Sequence, residues 1–499
     1  MKIIFALTLL VLLTNTSFAQ HHHHDDDTTK TKKDTMDMKM PNETPENMSD
    51  SNKHDHSKMN MDGEMNMSDS TMNSFMNSSE NPSMNNHDMH LHGNMDDMAM
   101  SHSYSLSLPM NRNGSGTGWL PDASPMYGYM VHSNNWMLMF HGGVFLRYTS
   151  TNINNEGKGG ASMFDAPNWF MGMAQRKIGA DGLIKFGLMM SLDRLTERGD
   201  GYPLLFQSGE TWQGNPLVNR QHPHDLFSEL SIAYTQRLSK DVDVTGYFGY
   251  PGEPALGPVA FMHRVSAGNN PDAPLSHHWQ DATHITFGVG TFGVRYNIFK
   301  IEGSIFNGKE PDENRYNFDK GEFNSYSYRV SVNPDRNFAL QFSQGFIKAP
   351  EALEPEVDVT RTTASVTHSY NFTKTSNLNT TIAWGMNDKK SGEGDNHKEH
   401  SLLLESNYEI NKANLYGRYE FVEKDAEELA LSGFEHGRKF SINAFTLGTN
   451  YKIGNAVGAD VSLGLQGSLY FIPSDLETYY GKNPVSAQIY LKLSPMLMK

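Results

Sequence analysis

Trp136-Met137-Leu138-Met139-Phe140-His141-Gly142-Gly143-Val144-Phe145-Leu146-Arg147-Tyr148 decides the fold. Leu138, Phe140, Val144, Leu146 and Tyr148 fall on one side of an extended chain. Met137, Met139, His141 and Arg147 fall on the other. Successive side chains of a strand point to opposite faces, so this is the period-two pattern of a strand with two unlike environments.

Residues 286–297 and 440–451 read the same way. Strand starts are expected near residues 136, 168, 182, 226, 242, 284, 299, 325, 337, 361, 376, 400, 413, 440, 458 and 484. Short polar turns at 178–182, 239–241, 333–337, 374–376, 411–413 and 454–457 alternate with long loops at 197–225, 252–283, 349–360, 389–399 and 425–439. Alternating short turns and long loops is the signature of an outer-membrane barrel. The expected fold is therefore all-β: a transmembrane antiparallel β-barrel of about 16 strands (14 to 18). A soluble β-sandwich or propeller is the competing architecture, and the strand lengths of about ten residues and aromatic strand ends disfavour it. The chain ends Ser494-Pro495-Met496-Leu497-Met498-Lys499 rather than on an aromatic residue, which leaves Tyr490 as the candidate for that place.

Upstream, Lys2, the apolar run 3–13 and Ser17-Phe18-Ala19 form a secretory signal with a small-x-small cleavage site. Three parts follow: signal peptide 1–19, a tail and hinge 20–117, and the barrel 118–499. The hinge is the Gly-rich run 111–118. The chain has no Cys, so disulfides and thiolate metal sites are excluded. The mature part has no apolar run of transmembrane-helix length, which does not argue against a barrel. Net charge is −16, and 12 Asp and 4 Glu against 6 Lys in residues 21–110 account for −10 of it. Such a balance suits cations and gives no sign of nucleic-acid binding.

The tail holds 15 of the 30 Met, between Met36 and Met100, and 10 of the 22 His, between His21 and His102. Its Met residues sit among Asp, Asn and Ser, which cannot bury enough apolar surface to offset chain entropy, so the tail is expected to be disordered. Exposed thioethers then point to soft-metal binding, because thioether sulfur selects Cu(I) and imidazole suits Cu(II), Ni and Zn. The candidate ligands are Met36, Met38 and Met40; His54 and His56; Met59 and Met61; Met65 and Met67; His87, Met89, His90 and His92; and Met95, Met98 and Met100. His21 and His22 add an N-terminal site: with Gln20 as first residue, a free amine and the third-position imidazole suit a square-planar ion. Copper is the expected metal, with zinc less favoured because Met is a poor zinc ligand. The competing reading is a hydrophilic linker of drifted composition.

A second cluster lies in two long loops: His222, His224 and Asp225, then His263, His277, His278 and His284. It reads as a metal site or as a polar loop packed into the lumen with His as hydrogen-bond donors. The apolar run 201–210 favours a loop that folds inward and constricts the pore. A third set, Met126, Met130, His132, Met137, Met139, His141, Met171 and Met173, reads as a soft-ligand path or as ordinary packing and lipid contacts. Catalysis has no support: no nucleophile elbow, zincin motif, phosphate loop or dinucleotide fingerprint is present.

A signal peptide, a Met/His/Asp-rich tail and a barrel resemble the bacterial copper-resistance B family of outer-membrane proteins. The segments 119–127, 221–225 and 306–313 resemble an uncharacterised group of envelope proteins from bacteria with copper-efflux systems. The resemblance implies copper tolerance. An even number of strands puts both ends of the barrel, and so the tail, in the periplasm, where a copper carrier or efflux system is a candidate partner. The expected function is copper capture, sequestration or export. Its rivals are a general porin with a metal-buffering tail and a structural or adhesive surface barrel. Oligomerisation is open.

Overall fold

The computed structural model describes residues 102–392 and 396–498. Sixteen antiparallel strands close into one barrel. They are β1 (Trp136–Thr151), β2 (Asn168–Ile178), β3 (Gly182–Met190), β4 (Phe227–Arg237), β5 (Val242–Gly249), β6 (Val289–Tyr296), β7 (Phe299–Phe306) and β8 (Ser325–Val332). β9 (Phe338–Ile347), β10 (Val357–Thr373), β11 (Ser376–Ser391), β12 (Asn396–Ile410), β13 (Ala413–Asp425), β14 (Lys439–Ala456), β15 (Ala459–Phe471) and β16 (Val485–Ser494) complete it. Each strand pairs with its sequence neighbours, and β16 pairs back on β1 in the register Val144↔Leu493. Closure leaves no strand edge unpaired.

The wall is inverted relative to a soluble protein. Phe292, Tyr296, Ile301, Ile305, Tyr326 and Leu447 are exposed on the outside, each by more than half of its surface. Arg147, Lys185, Arg295, Arg329, Glu405 and Arg418 are buried on the inside. An apolar outer band around a polar interior is what a bilayer selects. The protein is an outer-membrane-type barrel. Among the described residues no helix is long and apolar enough to cross a membrane.

The expected strand starts agree closely with the observed ones, with three instructive exceptions. The strand expected near 284 begins at Val289, because Ala282–His284 forms a tight helical turn and Thr286 pairs with Gly252 inside the loop. The strands expected at 361 and 400 begin earlier, at Val357 and Asn396. Most of the expected loop 389–399 is thus strand. Lys389 and Glu399 face the lumen, where Lys389 Nζ lies 3.4 Å from a Glu399 carboxylate oxygen, so charge here marks an inward position rather than a loop. Tyr490 does not serve as a lipid-facing terminal aromatic: it is buried in the lumen, 2.9 Å from the Tyr416 hydroxyl.

Two segments fill the lumen. From the long-loop end, residues 250–288 fold inward and are tied to the wall on many sides. Arg264 donates to Glu405 and to Asp281, both at 2.7 Å. Asp272 accepts from Arg147 at 2.6 Å, from Gln466 at 2.6 Å and from Gln488 at 2.7 Å. Ser276 donates to Glu420 at 3.1 Å. From the short-turn end, residues 102–128 cap the mouth. Tyr104 meets Lys185 at 2.6 Å, Ser105 donates to Asp243 at 2.6 Å, and Lys300 donates to the Thr117 carbonyl.

This second segment corrects the expected hinge. Residues 102–117 are packed rather than disordered. The glycines of 111–118 serve close approach: a Cβ on Gly114 would lie 2.5 Å from a Val259 methyl, and one on Gly118 would lie 3.0 Å from it. The rest of the tail, 20–101, lies outside the described residues.

Candidate metal-binding lumen

The inward loop 250–288 meets loop 191–226, and five histidines from the two form a ring. Ring centroids are separated by 6.3 Å for His222 and His224, 5.7 Å for His224 and His284, and 5.1 Å for His284 and His277. His277 and His278 are 5.3 Å apart, and His278 returns to His222 at 6.4 Å. Two successive long loops, separated by the hairpin β4–β5, therefore supply one imidazole cluster.

Three of the rings are held by their Nδ1 atoms. His224 Nδ1 lies 2.6 Å from an Asp193 carboxylate oxygen, and His277 Nδ1 lies 2.6 Å from Asp281. His284 Nδ1 lies 2.8 Å from the Asp281 carbonyl oxygen. A carboxylate or carbonyl beside Nδ1 requires that nitrogen to donate, so in the neutral ring the lone pair sits on Nε2. Nε2 of His224, of His278 and of His284 is buried without a hydrogen-bond partner. Metal-ligating imidazoles have this anchoring pattern. Asp281 is itself fixed, because its second oxygen accepts from Arg264. Asp193 also accepts from the backbone N–H of Asn168, which ties the site to the start of β2.

Toward the loop tips, Glu210, His222 and His278 bring one ligand atom each within 4.8 Å of one another. His222 Nδ1 is 3.2 Å from Glu210, and His278 Nδ1 is 3.8 Å from Glu310. Gly209 permits the approach: its φ of +105° suits glycine, and a Cβ there would lie 2.9 Å from the His278 ring. Burial first, then neighbouring positive charge, holds His222 and His278 well below the usual imidazole range, so both are neutral near pH 7. Burial raises the Glu210 carboxyl to about 7, and burial together with Glu210 raises Glu310. Glu210 and Glu310 also line an acidic basin of about 660 Å³ with Glu313, Glu351, Glu427 and Glu428.

The other candidates fall elsewhere. Asp225 faces Arg315 at 3.2 Å and forms an ion pair outside the ring. His263 packs against Trp169 and His141, with centroid separations of 4.8 and 5.4 Å. His21, His22, His54, His56, His87, His90, His92 and the tail methionines from Met36 to Met100 lie outside the described residues. Of the third set, His132 is exposed, whereas Met139, Met171 and Met173 are buried together in one cluster. Glu210, Glu310 and Asp193 carry no local sequence signal: Asp193 and Glu210 meet their imidazoles only when loop 191–226 folds back on itself, and Glu310 meets His278 from a different loop. A second acidic group, His397, Glu399 and Asp425, also brings its ligand atoms within 4.8 Å, but Lys389 stands beside it, 3.4 Å from Glu399. A fixed ammonium there opposes a cation.

Residues 290–462 match the family model described as putative beta-barrel porin-2, OmpL-like. Solved structures with a similar shape include OmpF of Salmonella typhi in complex with daunomycin, at 10% identity and TM-score 0.46, covering 73% of this chain and 100% of that one. An anion-selective porin from Comamonas acidovorans is similar at 11% identity and TM-score 0.43, covering 72% and 99%. A loop-deletion form of OmpT from Vibrio cholerae is similar at 9% identity and TM-score 0.44, covering 72% and 100%. No curated protein matches the chain. The chain is a closed 16-stranded antiparallel barrel, similar over residues 290–462 to that porin family model, and its lumen carries a ring of anchored histidines.

Proposed function

We propose that this barrel is a narrow channel for transition-metal cations, with copper as the main cargo and zinc less favoured. The observation that carries the reading is the pair His224 and His284. Each donates from Nδ1 to an oxygen, and each leaves a buried Nε2 without a partner in the lumen. A ring fixed at Nδ1 with an open Nε2 is oriented to accept an ion there. The carboxyl groups of the basin above the ring would offer cations oxygen ligands at the mouth. With the short turns in the periplasm, as in outer-membrane barrels, the Met/His tail would lie there and collect copper from a periplasmic carrier or efflux system.

Competition titration of the full-length protein with Cu(I), Cu(II) and Zn(II), paired with ion flux in proteoliposomes, tests the proposal. Copper bound above zinc, with flux reduced by His222→Ala and His224→Ala together, is the expected result. Copper binding no tighter than zinc, or flux indifferent to both substitutions, overturns it. A general small-solute porin is the second reading, supported by the match to the porin family model over residues 290–462. It expects sugar and amino-acid flux that ignores copper and both histidines.

A further inference from the structure

Between the short-turn mouth and the histidine ring, the part of the lumen wall formed by β1, β2 and β3 is lined by thioethers. On β1, β2 and β3 the inward positions pair across strands as His141↔Met171, Met139↔Met173 and Met171↔Met189. The outward positions of the same strands are Phe140, Phe170, Phe186 and Leu188. The chain therefore uses aromatic residues and Leu toward lipid and places Met toward the lumen, where barrel side chains are ordinarily polar. Met139, Met171, Met173 and Met189 form one buried cluster, closed by Met262 of the inward loop and Met498 of the C-terminal segment.

Imidazoles stand at its edge. His141 and His263 have ring centroids 5.4 Å apart, and Nε2 of His141 is buried without a hydrogen-bond partner. A cavity of about 190 Å³ is lined by Met139, Met171, Met173, Met262, His141 and His263. The same cavity reaches Met126 toward the short-turn mouth and Asp193 and His224 of the histidine ring. The cluster and the ring thus share one continuous space.

We propose that this cluster is a binding site for a soft monovalent cation, Cu(I) or Ag(I), placed in series with the histidine ring. The inference rests on the metal-channel reading and deepens it. Neutral thioethers with one or two imidazoles match the softness of a monovalent coinage-metal ion and discriminate against Zn(II) and Mg(II). The ring, with Glu210 beside its imidazoles, suits a divalent ion. Several weak thioether ligands lining one cavity allow an ion to move between partners, as passage requires.

Silver is the probe, because it is soft, monovalent and, unlike copper, has no readily reached divalent state. Crystals of the full-length protein are soaked in silver nitrate and the silver positions read from anomalous scattering. The expected result is a silver peak bounded by Met139, Met171, Met173 and Met262. Met171→Leu with Met173→Leu preserves volume and is expected to abolish that peak while leaving zinc at the ring. His141→Gln, which keeps a polar side chain, is expected to weaken silver binding by about tenfold. No silver at the cluster in the wild type, or an unchanged peak in the double variant, overturns the proposal. Zinc flux in proteoliposomes separates the two readings. If zinc crosses and silver is absent from the cluster, the site fails and the channel stands. If silver occupies the cluster and neither ion crosses, the site stands and the channel reading fails.

Discussion

His224 Nδ1 lies 2.6 Å from Asp193, a residue that also accepts the backbone N–H of Asn168 at the root of β2. One carboxylate thus transmits the rigidity of the wall to an imidazole on a long loop. Asp193→Asn keeps the shape but removes the charge that orients the ring. Metal affinity at the ring is expected to fall about 10- to 100-fold, the usual cost of losing such a partner, with the barrel still folded. Isothermal titration with Zn(II) and Cu(II) on the purified variant checks this, and unchanged affinity would remove Asp193 from the site.

Glu210 gives the triad a pH dependence. Its carboxyl is raised to about 7 by burial, above the ordinary 4.5. A carboxyl must lose its proton to bind a cation, so ion affinity at Glu210, His222 and His278 is expected to strengthen as pH rises through about 7. Without metal the linkage has the opposite sign. The folded form holds the proton more tightly than the unfolded chain, so this group's contribution to stability is present below pH 4.5 and lost as pH rises toward 7. Glu210→Gln should flatten the binding profile, as measured by Zn(II) titration between pH 5.5 and about 8.

Arg264 lies between Glu405 and Asp281, and all three side chains are almost wholly buried. Arg264→Met would break both pairs and leave Glu405 with Arg418 alone and Asp281 with His277 alone, a loss of up to about 3–5 kcal/mol for a broken buried pair. The inward loop should detach before the hydrogen-bonded wall does. Larger single-channel conductance with retained heat-modifiable migration is the expected signature. A variant that conducts like the wild type would mean the loop is held without Arg264.

The short-turn plug hangs on a close contact. Gly114→Val would drive a side chain into Val259, since a Cβ alone would stand 2.5 Å from its methyl group. Residues 102–118 are expected to leave the mouth, raising conductance to small solutes and exposing that segment to protease. Protection equal to that of the wild type would show that the remaining ties, such as Tyr104 to Lys185, suffice.

Removal of residues 20–101 is expected to lower the number of copper ions bound by the full-length protein while the barrel stays intact. Copper counting beside far-ultraviolet circular dichroism checks both halves. A truncated protein that holds as many ions as the intact one would place all binding in the lumen.

The barrel itself was legible in the sequence because period two is a local property. The alternation in 136–148 assigns Leu138 and Leu146 outward and Met139 and Arg147 inward without reference to any partner. Turn punctuation then ordered sixteen strands, since each hairpin joins sequence neighbours. The loop histidines stood out by composition alone. Their arrangement did not, because it depends on where loops return. Asp193 reaches His224 and Glu210 reaches His222 only once loop 191–226 has folded back on itself, and Met262 reaches Met171 only after 250–288 has folded into the lumen. The glycines of 111–118 show the same limit: a flexible hinge and a tight contact require the same residue, and only Val259 distinguishes them. Local alternation therefore determined the wall. Long-range packing of two segments, held by buried ion pairs that no sequence spacing encodes, decided what fills it.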